Sequence, residues 1–154
     1  MSQQDPEAPY TESEIIMTAV RVVTPFILTY GLFMIFHGAD TPGGGFQGGA
    51  LVGVVVLMLA FAFGAEPTRE WVGNDAITGL AAGGVLVFVG VGLGALAYGG
   101  AFLEYGRYAP ILGKDATKYG MEAIEIGGVA AIVSGVIMGL FFLTAAGFNG
   151  GEEA

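Results

Sequence analysis

Cysteine is absent from the 154 residues, and histidine occurs once, as His37. The first absence excludes a disulfide framework, thiolate metal ligation and a thiol nucleophile; the second excludes a histidine-cluster metal site. Charge is also scarce. Asp, Glu, Lys and Arg make up 12% of the chain, about half of the quarter usual in soluble domains. Positive charge is scarcer still, with five Lys and Arg against fourteen Asp and Glu and a net charge of −9. That balance leaves no basic surface for nucleic-acid phosphates. Residues 1–14 are acidic and polar, with no basic n-region or cleavage pattern. The first apolar run is therefore expected to be a retained helix rather than a signal peptide.

Long apolar runs dominate what remains: 54% of residues are hydrophobic and the mean hydropathy is +0.70. Crossing a bilayer as a helix takes about 20 mostly apolar residues. Four stretches meet this, Ile15 to Phe36, Phe46 to Gly64, Ala76 to Gly100, and Ile126 to Phe148. The last three contain no charged residue and the first contains only Arg21. The runs are continuous rather than alternating, which excludes membrane strands. The expected fold is an all-α integral membrane protein of four transmembrane helices. A membrane domain spans 15–148, between acidic tails at 1–14 and 149–154.

The connections differ in character. Residues 37–45 read as a tight Gly-rich hairpin, 65–75 as a short polar turn, and 101–125 as a longer charged segment. Tyr10, Trp71, Tyr98, Phe102, Tyr105, Tyr108 and Tyr119 sit near the boundaries, where amphipathic rings favour the headgroup layer. Arg107, Lys114 and Lys118 fall in the third connection against Arg69 in the second. The positive-inside rule then puts the third connection in the cytoplasm and both termini outside. The acidic tails read either as ordinary solvated ends or as adaptation to a high-salt habitat, where screening weakens self-repulsion.

Glycine is plentiful, at 28 residues, and much of it lies inside the spans, where small residues let helix backbones approach closely. Gly127, Ala131, Gly135 and Gly139 recur every four residues in the fourth span. Gly79 with Gly83 and Gly90 with Gly94 do so in the third, and Gly49 with Gly53 in the second. Such faces serve packing within the chain, docking of partner subunits, or both.

Three groups of residues carry polar chemistry. The string Thr41-Pro42-Gly43-Gly44-Gly45-Phe46-Gln47-Gly48-Gly49 contains a formal G-x-G-x-x-G. It joins two membrane helices, whereas a dinucleotide fingerprint needs a strand before it and a βαβ unit around it; no Walker Lys follows either. It is expected to set the angle of a helical hairpin, with Phe46 anchoring the second helix and free amides at that helix N-terminus. Arg21 and Pro25 share a face of the first helix with Thr18 and Thr29. Arg21 reads either as a snorkelling anchor beside a proline kink or as an ion-path or subunit-contact charge. Glu122 and Glu125, three residues apart, read either as carboxylates favoured by a helix N-terminus or, with His37 and Asp40, as a polar entrance for cations or protons. No nucleophile–base pair or metal-ligand cluster is found, so no catalytic residue, metal or cofactor is expected.

The stretch from Arg21 to Gly49, R-V-V-T-P-F-I-L-T-Y-G-L-F-M-I-F-H-G-A-D-T-P-G-G-G-F-Q-G-G, resembles the MnhB or MrpB component of the multisubunit sodium/proton antiporters called Mrp or Mnh. That family typically shows a G-H-x-x-P-G-G-G-F-x-G-G hairpin. Here His37-Gly38 stands in reverse order, so no role for His37 is carried over, while Pro42, Gly43, Gly44, Gly45 and Phe46 match. Ile124-Glu125-Ile126-Gly127 resembles the start of the family's last helix. The resemblance implies a non-catalytic plasma-membrane subunit of a prokaryotic complex exchanging sodium ions for protons. Its partners would be other membrane subunits, including large ones like the proton-pumping subunits of respiratory complex I. Two alternatives stand beside it: a related small subunit of a membrane-bound hydrogenase, and a self-assembling cation channel or transporter.

Overall fold

The computed structural model describes residues 13–38 and 44–149. The expectations for Asp40, Pro42 and Gly43, and most of both acidic tails, fall outside these residues.

The first helix, α1 (Glu14–His37), starts where Ser13 adopts an extended conformation and its hydroxyl accepts the Ile16 N–H at 3.5 Å. Glu14 in the first turn and His37 in the last complement the helix dipole. The helix runs on through Pro25, whose carbonyl accepts the Thr29 hydroxyl at 2.7 Å. Next comes α2 (Gly45–Phe63), entered through Gly44 at φ 133° and left through Gly64 at φ 98°, backbone regions closed to most side chains. After a short α3 (Ala65–Val72), the third long helix is α4 (Asn74–Ala97).

Two connections carry more structure than their sequence suggests. The turn expected at 65–75 contains α3. Its single buried residue, Thr68, donates its hydroxyl to the Gly64 carbonyl at 2.8 Å, while Trp71 is exposed. Eight residues are too few for a helical period to stand out in the sequence. The longer charged connection at 101–125 holds a 3₁₀ turn (Tyr105–Tyr108), α5 (Ala109–Leu112) and α6 (Ala116–Ala123). Then α6 passes without a break into a π-helical segment (Ile124–Ala130) and α7 (Ala131–Asn149). The fourth span is therefore the end of a longer rod that starts well before Ile126. Its polar first part hides in the sequence because Lys118 and Glu122 read as loop charges. One helical turn apart, with Nζ to Oε1 at 4.0 Å, they suit a helix surface.

All four apolar spans are present, and each is long and apolar enough to cross a membrane. They pack as a row: α1 on α2, α2 on the π segment and α7, and these on α4. The core at one end of the row is Val56, Ala60, Ile77, Met138 and Phe142. Elsewhere glycine allows the closest contacts. A Cβ at Gly48 would lie 2.7 Å from the Gly31 carbonyl of α1, and one at Gly49 2.6 Å from the Ala130 carbonyl. Gly135 meets the Ala81 backbone in the same way, at 2.7 Å, and Gly84 the Gly128 carbonyl at 2.8 Å. The glycine faces expected on the second and fourth spans are thus used within the chain. On α4, Gly94 meets Tyr108, whereas Gly79, Gly83 and Gly90 face open space. Large apolar side chains such as Phe26, Leu86 and Leu143 project outward, as suits surfaces bathed in lipid or covered by other membrane helices.

Substituting Gly49→Ala is expected to destabilise the detergent-solubilised chain by about 1–3 kcal/mol, the usual effect of overpacking. Gly79→Ala, with room for its methyl group, is expected to be neutral or to stabilise by up to about 1 kcal/mol through helix propensity. Thermal denaturation of the two variants side by side checks the difference.

Candidate functional site at the glycine hairpin

The π-helical segment brings the fourth span against the hairpin between α1 and α2. A Cβ on Gly45 would collide with the backbone of Glu125, so α2 begins in direct backbone contact with the π turn. One turn further on, Gly49 meets Ala130, and the Ser134 hydroxyl lies 3.0 Å from the Gly49 carbonyl and 2.7 Å from the Ala130 carbonyl. Ser134 is buried, and these carbonyls satisfy its hydroxyl where water is excluded. π-Helical turns inside α-helices are frequent at functional positions because the extra residue re-aims the side chains around it.

Glu125 is the polar residue re-aimed here. Its carboxylate lies where side chains of Gly38 and Gly44 would otherwise be: a Cβ at Gly38 would be 2.5 Å from Oε2, and one at Gly44 3.2 Å from Oε1. Oε2 is shut off from solvent and has no hydrogen-bond partner. Glu122, expected beside it, turns back along α6 toward Lys118 instead. It nevertheless stays close enough to Glu125 for the two charges to interact, and Tyr105 of the 3₁₀ turn is the other titratable group that feels Glu125. His37 closes α1 next to Gly38, stacked on Phe33 at 4.3 Å with Nδ1 3.2 Å from the Phe33 carbonyl. The structure thus gathers His37, Gly44, Gly45, Glu122 and Glu125 at one end of the row. Phe46, expected as an anchor, projects outward and is 63% exposed.

Arg21 and Pro25 are not part of this group. At 1.5 Å per residue, Arg21 stands roughly 24 Å from His37 along α1. It is exposed, and its guanidinium carbon sits 5.0 Å from the centre of the Phe63 ring at the far end of α2. A cation over an aromatic face beside lipid suits the anchoring role. Thr24, on the same helix, has a buried hydroxyl oxygen without a partner. Thr24 and Ser134 do not stand out in the sequence, and Tyr105 does so only as a boundary aromatic. Even so, Ser134 had a visible signal, a hydroxyl in the middle of an apolar, Gly-rich span, whereas the contacts of Thr24 and Tyr105 are not revealed by any spacing. In the third connection, Glu104 accepts the Ala101 N–H at 2.7 Å and the Arg107 Nε–H at 2.9 Å. The Ala101 bond first, and Arg107 after it, hold its carboxyl below the ordinary range. Among the described residues no group of three or more His, Asp or Glu is placed to hold a metal ion.

This hairpin-and-rod arrangement falls inside a match to a known family. Residues 15–139 match the model of a domain related to the MnhB subunit of Na⁺/H⁺ antiporters. The chain belongs to the MnhB family. It is similar to the B component of the Na⁺/H⁺ antiporter of Bacillus subtilis, with 31% identity over 131 residues covering 83% of this chain and 90% of the relative. It is also similar to the B component of the Na⁺/H⁺ antiporter of Alkalihalophilus pseudofirmus, with 33% identity over 103 residues covering 65% and 71%. For this MnhB-family chain the matched region takes in nearly all of α1, all of α2 and α4, the π segment and half of α7.

Arg21→Met is expected to lower stability by no more than about 1 kcal/mol, the value of an exposed cation–π contact. It is also expected to leave ion exchange by the assembled complex close to that of wild type. Denaturation of the isolated chain and exchange in membrane vesicles check both; complete loss of exchange would assign Arg21 to an ion path.

Proposed function

We propose that this chain is a non-catalytic membrane subunit of a multisubunit antiporter that exchanges a monovalent cation, sodium, for protons across the cell membrane of a prokaryote. The observation that carries this reading is the family match, which extends over the hairpin, the Glu125 site, the first three spans and the first half of the fourth. The architecture supports it. The described helices pack in a row rather than in a ring around a pore, and three of the four spans lack charge. Continuous ion paths in membranes are lined with ionisable and polar groups. A chain so poor in them works by packing against subunits that have them, and the open glycines of α4 and the apolar flank of α1 offer the surfaces.

In this reading the partners are the complex's other membrane subunits, including large complex I-like ones, and the transported species are sodium ions and protons. The hairpin end of the row, with Glu122 and Glu125, faces the cytoplasm together with the third connection, which carries Arg107, Lys114 and Lys118. Arg21 and Pro25 belong to the opposite end and serve anchoring and subunit contact.

An affinity tag on this chain, with gentle solubilisation and mass spectrometry, is expected to recover large multi-helix partners, and deletion of the chain is expected to reduce sodium tolerance. Recovery as a monomer or homo-oligomer alone would overturn the reading. Because the chain has no cysteine of its own, Lys114→Cys gives a clean test of orientation: an impermeant thiol reagent is expected to label it only after the cells are opened.

A further inference from the structure

The Glu125 carboxyl is not explained by packing, because a shorter apolar side chain would fill its place without burying a polar oxygen. Its burial is enforced from three sides. Gly45 presses backbone against backbone, while Gly38 and Gly44 leave just the room that the carboxyl occupies. None of the three has a side chain that donates a hydrogen bond. The cation of α6, Lys118, is directed at Glu122, and Arg21 stands at the other end of α1. Among the described residues, the titratable groups facing Glu125 from the packed elements are His37 at the end of α1, Tyr105 in the 3₁₀ turn and Glu122 on its own rod. The start of α2, Gly45 to Gly49, and Gly44 before it contribute nothing titratable. Among the described residues Oε2 is buried with no hydrogen-bond partner, so an ionised charge on it would go uncompensated, whereas the neutral acid avoids that cost.

We propose that Glu125 is a proton-carrying group of the subunit, held as the neutral acid in the closed arrangement seen here. The step is a proton exchange: the carboxylate takes a proton from a hydronium ion at the mouth of the helix row, its O–H bond forming as the donor's O–H breaks and leaves water. The acid later returns the proton to water as hydronium or to a basic acceptor on a neighbouring subunit. No other bond changes. The inference rests on the antiporter reading for its purpose, but the protonation itself can be tested without that reading.

Two arms test it. Dicyclohexylcarbodiimide, an apolar reagent selective for protonated carboxyls in apolar surroundings, is applied to the purified complex at pH 8, followed by peptide mass spectrometry. Labelling of Glu125, with none at Glu104 or Glu122 and a decline as the pH is raised further, is the expected result. An unlabelled Glu125 would overturn the proposal. In the second arm, Glu125→Gln keeps the shape of the neutral acid, so the complex is expected to assemble normally while sodium-dependent proton movement in everted vesicles falls at least tenfold. Glu125→Asp is expected to keep partial exchange with a displaced pH profile. Exchange at the wild-type level in Glu125→Gln, or failure of that variant to assemble, would contradict a proton-carrying role. Labelling of Glu125 in a chain recovered without partners would keep the proton-binding carboxyl and discard the antiporter reading.

Discussion

The arrangement depends on backbones meeting without side chains between them. Gly45 and Gly49 of α2 face the π segment and Gly48 faces α1, so one helix turn makes close contact on two sides at once. Lipid tails are as apolar as leucine, so burying leucine gains little in a membrane. Association there comes from van der Waals contact and hydrogen bonds, both of which reward close approach. The Ser134 hydroxyl between two carbonyls is available only because Gly49 lets the helices come that near. The same closeness brings Gly38 and Gly44 up to the Glu125 carboxyl. Packing and site have one cause.

Four spans were legible in the sequence, each to within about three residues of its boundaries, apart from the start of the fourth. Apolar length is a direct physical requirement of the bilayer and leaves a direct trace. The glycine faces of the second and fourth spans were legible for the same reason, since spacing along a helix fixes which residues share a side. Gly79, Gly83 and Gly90 have the same spacing but meet nothing in this chain; periodicity reports a face and is silent on its occupant.

What stayed hidden is irregular structure. The fourth rod begins at Ala116, yet Lys118 and Glu122 look like loop residues until their one-turn spacing is placed on a helix. The π turn has no sequence period of its own, and it separates the directions of Glu122 and Glu125, which an α-helix would place on neighbouring parts of one face. Glu125 was identifiable as a candidate from its position before an apolar run. Its enclosure by Gly38 and Gly44 was not, because it joins residues far apart along the chain. Arg21, the most conspicuous charge in the sequence, is on the exposed flank with its guanidinium over the Phe63 ring.

In the assembled protein, then, α2 is clamped by glycine between α1 and the π turn, and this clamp encloses Glu125. Electron cryomicroscopy of the complex purified through this chain tests that claim most directly. The expected map has Gly45 and Gly49 in contact with the π turn, the Glu125 carboxyl against Gly38 and Gly44, and neighbouring subunits covering the open flanks of α1 and α4. A Glu125 side chain standing in open water, with α2 separated from the π turn, would contradict it.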